Sequence, residues 1–96
     1  MKRSILGMKV KVLFFASTRE IVDKSSIDLK FEKEISLQSL LVFLERTYPE
    51  LNESPQNLLT HCSIALNENY ALPETFEDIK LCDGDEVALL PPVSGG

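Results

Sequence analysis

Ninety-six residues, 44% hydrophobic and 26% charged, make a single soluble globular domain with only a modest core. The formal charge is -5, and from Leu66 onward Glu68, Glu74, Glu77, Asp78, Asp83, Asp85 and Glu86 face Lys80 alone. So acidic a second half argues against nucleic acid as a partner and for a basic protein.

Residues 1–7 read as an N-terminal extension, 8–90 as the domain and 91–96 as a flexible tail. No apolar run reaches membrane-spanning length, and Ile5-Leu6 is too short for a signal-peptide core, so the expectation is a cytosolic protein without a membrane role. Residues 9–16 alternate as a strand, with Val10, Val12, Phe14 and Ala16 on one face and Lys9, Lys11, Leu13 and Phe15 on the other. Ser17 and Thr18 cap a helical turn, and Asp23 closes it in a left-handed conformation. Residues 26–32 form a second strand with Ile27, Leu29 and Phe31 inward, paired hairpin-like with the first.

Ser36 caps the main helix. Leu37, Leu40, Leu41, Leu44 and Tyr48 recur at helical spacing, and Pro49 ends the run. Residues 50–60 are polar, carry Pro55, and read as loop. Residues 62–66 form a third strand, which turns at Asn67-Glu68-Asn69 into a short strand over 70–72. Asp83-Gly84-Asp85 is a tight turn into a final strand over 86–90. Strand, strand, helix, strand, short strand, strand suggests an α+β fold of the β-grasp kind, a mixed sheet with the helix across one face. In that arrangement the first and last strands are parallel neighbours. Parity then sends Val87 and Leu89 inward, and Glu86, Ala88 and Leu90 to the opposite face with Phe15 and Tyr70. Phe15, Tyr70 and Leu90 are the expected docking patch. The alternative is a loop of this same chain covering that face.

The final strand runs into Pro91-Pro92-Val93-Ser94-Gly95-Gly96, which carries no charged side chain. The prolines favour an extended path, and six residues reach up to ~20 Å when fully extended. Gly95 and Gly96 lack Cβ atoms and fit a narrow channel. The stretch therefore reads as an arm that delivers the Gly96 carboxylate into a partner's active site. That carboxylate is ionised at neutral pH and a poor electrophile, so chemistry on it requires activation. Glycine occurs only at positions 7, 84, 95 and 96, too few for a phosphate-cradling loop, so a separate ATP-using partner is implied. Cys62 and Cys82 read as buried, reduced core thiols without metal-ligand spacing, and His61 beside Cys62 is unsuited to a dyad because strand neighbours face opposite ways.

Leu13-Phe14-Phe15-Ala16 with Arg19-Glu20, Ala65-Leu66-Asn67-Glu68, Asp83-Gly84-Asp85-Glu86-Val87 and the terminal Pro91–Gly96 run together resemble the small subunit of molybdopterin synthase. The resemblance covers about residues 8–96. Relatives often place Gly where Asp23 stands, and start near Met8. It implies a ubiquitin-like β-grasp sulfur carrier of molybdenum cofactor biosynthesis. In that family an E1-like enzyme uses ATP to adenylate Gly96, and sulfur transfer makes a thiocarboxylate. The tail then enters the large catalytic subunit, where the sulfur helps build the dithiolene of molybdopterin from cyclic pyranopterin monophosphate. Two small subunits flank a dimer of large ones. No permanently bound cofactor and no metal are implied; Gly95 would secure tail access, and Pro91, Pro92, Val93 and Ser94 would contact the partner. The other classes are a ubiquitin-like modifier joined through Gly96 to target lysines, a sulfur carrier for thiamine or tRNA thiolation, and a non-covalent interaction module.

Overall fold

A computed structural model describes residues 7–53 and 58–92. Five strands form one sheet: β1 (Met8–Phe14), β2 (Ser26–Phe31), β3 (Ser63–Leu66), β4 (Asn69–Ala71) and β5 (Glu86–Leu90), in the order β2-β1-β5-β3-β4. β1 and β5 are parallel at the centre, with Lys11 opposite Glu86 and Phe14 opposite Leu89, and the other pairs are antiparallel. Helices α1 (Ala16–Val22), α2 (Leu37–Thr47) and α3 (Leu58–His61) complete the α+β architecture.

One face of the sheet makes the core. Val10, Val12 and Phe14 from β1 and Val87 and Leu89 from β5 are buried against Leu37, Leu40 and Leu44 of α2. The α2 stripe follows the sequence spacing, and Ser36 caps it by accepting a hydrogen bond from Ser39 N at 3.1 Å. The segment after α2 departs from the loop reading. Pro49 ends α2 but opens a 3₁₀ turn over Pro49–Asn52, and α3 follows later. Leu51 and Leu59 are the reason: both are buried in the core cluster, so two apolar residues in a polar stretch pull it onto the domain.

Strand boundaries also move, and β4 occupies Asn69–Ala71 where 70–72 was expected, because the hairpin turn takes only Asn67 and Glu68. β1 ends at Phe14, and Ala16, expected on its inward face, is exposed at φ 52 as the first residue of α1. β2 stops at Phe31, and β3 begins at Ser63 with Cys62 outside it. Asp23 does adopt the left-handed conformation, φ 64, with its N–H donating to Arg19 O at 2.8 Å. Cys82 is exposed, not buried, because it sits in the connection before the Asp83-Gly84 turn; Cys62 is half-buried.

Candidate docking face

The sheet's second face bears a trough. Across the strands, Leu13 pairs with Ala88, Ala88 with Ala65, and Ala65 with Tyr70. Two alanines thus form a floor between two large walls. Phe15 and Leu90 close the end from which the chain departs, and Glu68 and Glu86 line the other parts of the rim. Phe15 is 41% and Tyr70 74% exposed, while Leu90 is half-buried, so the described residues leave this face uncovered. The alternative of a covering loop is not met among them. The expected trio Phe15, Tyr70 and Leu90 is brought together; the floor residues Ala65 and Ala88 were not singled out, because alanine is too small to announce a site except by its cross-strand position.

Phe15 owes its direction to the chain around it. Its backbone is still extended (φ -122, ψ 152), so it points opposite to Phe14 although β1 has ended. Thr18, fully buried, fixes it: Oγ1 donates to Phe15 O at 2.6 Å and accepts from Phe15 N at 3.0 Å. The Thr18 hydroxyl therefore satisfies backbone groups left over at the start of α1. Its role is at the third helical position, not as the cap residue that the sequence suggested.

The far end of the trough is held by two turns. Asn67 and Glu68 both take positive φ, 51 and 73, as a two-residue hairpin of type I′ demands. Asn67 Nδ2 donates to Asp85 Oδ1 at 2.9 Å, and Asn67 Oδ1 accepts from Glu86 N at 2.9 Å. Asp85 Oδ2 accepts from Cys82 N at 2.7 Å, and Gly84, at φ 90, donates from its N–H to Lys9 O at 2.8 Å. The Asn67-Glu68 and Asp83-Gly84-Asp85-Glu86 motifs are therefore one staple, which sets where β5 begins and hence where the tail leaves. Pro91 is half-buried and Pro92 exposed beyond β5. Val93, Ser94, Gly95 and Gly96 lie outside the described residues.

On the helix side, Cys62 shares a depression with Leu41, Ile64 and Phe76, and burial pushes its thiol up to about 11. It is held as a thiol, the wrong state for sulfur chemistry at neutral pH. Among the described residues no group of three His, Cys, Asp or Glu side chains is placed to hold a metal, and no helix is long and apolar enough to cross a membrane.

The ThiS family matches residues 12–96. The molybdopterin synthase sulfur carrier subunit of Chlamydomonas reinhardtii is 35% identical over 93% of this chain and 100% of its own length. Among solved structures, small archaeal modifier protein 1 from Methanosarcina acetivorans is 31% identical with a TM-score of 0.70, covering 95% of this chain and 99% of that one. Subunit 1 or 2 in the complex of the two subunits of molybdopterin-converting factor from Helicobacter pylori is 31% identical with a TM-score of 0.64, covering 93% and 100%. The fold is thus the ubiquitin-like β-grasp, and the chain belongs to the ThiS family, among the molybdopterin synthase sulfur carrier subunits.

Proposed function

We propose that this chain is the sulfur carrier of molybdenum cofactor biosynthesis, acting in the cytosol as a protein co-substrate of molybdopterin synthase. The observation that carries the reading is an uncovered apolar face whose outer end, at Phe15 and Leu90, runs straight into the Pro91-Pro92 tail. Docking of the trough on a partner would hold the root of the tail while the neutral, slim end reaches a site up to ~20 Å away.

The chemistry falls on Gly96. Its carboxylate attacks the α-phosphate of ATP in an E1-like partner, pyrophosphate leaves, and the acyl-adenylate is the electrophile the free carboxylate is not. The outer sulfur of a persulfide-class donor displaces AMP to give an acyl disulfide, and a second thiol attacks the donor's sulfur, forming a disulfide with it and releasing Gly96 as a thiocarboxylate. In the large catalytic subunit that anionic sulfur attacks a carbon of the pterin precursor and displaces an oxygen leaving group. Hydrolysis of the resulting thioester leaves the sulfur on the pterin and returns the Gly96 carboxylate, and a second charged carrier supplies the second sulfur. Gly95 and Gly96 admit the tail to both channels because a Cβ at either would narrow the fit. Pro91, Pro92, Val93 and Ser94 line the approach. Two carriers on a dimer of large subunits give the assembly.

The test incubates the full chain with the E1-like enzyme, ATP and a sulfur donor, then measures intact mass. One oxygen replaced by one sulfur, localised to Gly96 by fragmentation, is the expected result. Sulfur on Cys62 or Cys82, or full activity after deletion of Gly96, overturns the assignment. Isopeptide adducts to target lysines in place of a thiocarboxylate would mark a protein modifier.

A further inference from the structure

The trough is not symmetrical along its length. Phe15, Leu90 and the departing tail occupy one end. The other holds Glu68, at the β3–β4 turn, and Glu86, at the start of β5. These two residues are brought to the same end of the trough because Asn67 hydrogen-bonds to the Glu86 backbone, its N–H donating to Glu86 O at 2.8 Å and its Oδ1 accepting from Glu86 N at 2.9 Å.

Two of the neighbouring charges have partners of their own. Lys11, cross-strand from Glu86, directs its Nζ to Asp28 Oδ1 at 3.9 Å. The Asp85 carboxylate is taken up by Asn67 and the Cys82 N–H. Lys9 projects from the start of β1 in a polar hollow that Lys11, Asp28, Asp85 and Glu86 also line. Within that group two cations meet three anions, and the ion pair formed there among the described residues joins Lys11 to Asp28. Glu68 and Glu86 thus stand on the rim of an apolar surface without an ion pair among the described residues, where desolvation by an incoming partner would strengthen their pull on a cation.

We infer that the partner docks on this face with a basic side chain, arginine or lysine, between Glu68 and Glu86, and that this contact sets the direction of docking. A partner with its cation at this end and its tail channel at the Leu90 end fits; the reversed pose leaves two carboxylates against apolar surface and the tail facing away from the channel. The inference rests on the sulfur-carrier reading and deepens it: apolar burial supplies affinity, and the two carboxylates supply orientation.

The experiment measures association rate and affinity of the full chain for the large catalytic subunit across a salt series. It compares the unaltered chain, the double variant E68Q/E86Q, and the control E74Q/E77Q, which removes the same charge outside the trough. E68Q/E86Q is expected to bind roughly fivefold more weakly than the control at physiological salt, with a flatter salt dependence, and the gap is expected to close at high salt. Thermal melting of each variant confirms that it is folded. Binding of E68Q/E86Q indistinguishable from E74Q/E77Q overturns the inference while leaving the sulfur-carrier reading intact. Failure of the unaltered chain to bind the large subunit overturns both.

Discussion

Phe14 and Phe15 are chain neighbours with the same side chain and opposite fates. Phe14 is 1% exposed under α2, edge-on to Tyr48 with ring centroids 5.9 Å apart; Phe15 is 41% exposed on the other side of the sheet. Val87 and Ala88 repeat the contrast on β5, the first fully buried and the second on the floor of the trough. Both faces are apolar at the centre, yet α2 covers only one of them. The helix-covered face accounts for the stability of the domain, so the apolar surface on the open face is more than folding requires. An open sheet face with that much apolar surface is what the proposed docking of a partner would use.

The sharpest way to break this comparison is an aspartate at each of two adjacent β5 positions. Val87→Asp buries an unpaired carboxylate and should unfold the domain, costing several kcal/mol in urea denaturation. Ala88→Asp places the same group in the trough and should leave stability within about 1 kcal/mol while binding to the large subunit falls by at least ~tenfold. Loss of folding in both would mean that the open face contributes to the core after all. The phenylalanines give the next largest effect. Phe14→Ala should cost ~3–5 kcal/mol of stability. Phe15→Ala should leave the melting curve nearly unchanged and weaken the complex at least ~tenfold, from the ~1.5–3 kcal/mol that burying such a side chain contributes. A Phe15→Ala variant that binds normally removes the patch from the interface.

Much of this was legible in the sequence because it depends on parity. Period two along β1 and β5 placed Phe14 with Val87 and Leu89, and Phe15 with Leu90, before any coordinates. The α2 stripe and the left-handed Asp23 were legible for similarly local reasons. Leu51 and Leu59 were not: one apolar residue and one of a leucine pair in an otherwise polar stretch show no helical or strand period, and only the tertiary fold shows the gaps they fill. Ala16 misled because alanine carries no mark of a left-handed backbone. Cys82 misled because cysteine is buried on average, and the average says nothing about a residue just before a turn. The trough's alanine floor needed the register of three strands, which no single segment encodes.

Two smaller effects sharpen the comparison from each side. Thr18→Ala removes both hydrogen bonds to the Phe15 backbone, so it should cost ~1–2 kcal/mol and also weaken partner binding by letting Phe15 drift; Thr18→Ser should restore both readouts. Wild-type binding by Thr18→Ala would show that Phe15 is aimed by something else. On the helix side, burial raises the Cys62 thiol from 9.0 to about 11, so the folded state favours the protonated form. The stability that follows is complete below 9.0 and is lost as pH rises through about 11. At mildly alkaline pH, iodoacetamide should therefore alkylate exposed Cys82 well before Cys62. Equal rates would mean that burial on the helix side does not shield Cys62.

The smallest effect concerns Glu68, the one side chain of the trough held at a backbone angle that suits glycine. In a type I′ turn the second central position is normally Gly, and a residue with a Cβ pays roughly 1–2 kcal/mol to sit in the left-handed region. Glu68→Gly relieves that strain but adds backbone freedom to the unfolded chain, which returns ~0.5–1 kcal/mol of the gain. The variant should therefore be more stable by about 0.5–1 kcal/mol, read as a higher urea midpoint at unchanged slope. Its binding to the large subunit should weaken, because the carboxylate at the acidic end of the trough is gone. Stability and docking then move in opposite directions from one substitution on the open face, whereas on the helix face, as at Phe14, both fall together. A Glu68→Gly chain that gains stability and loses no affinity would show that the strained glutamate serves neither.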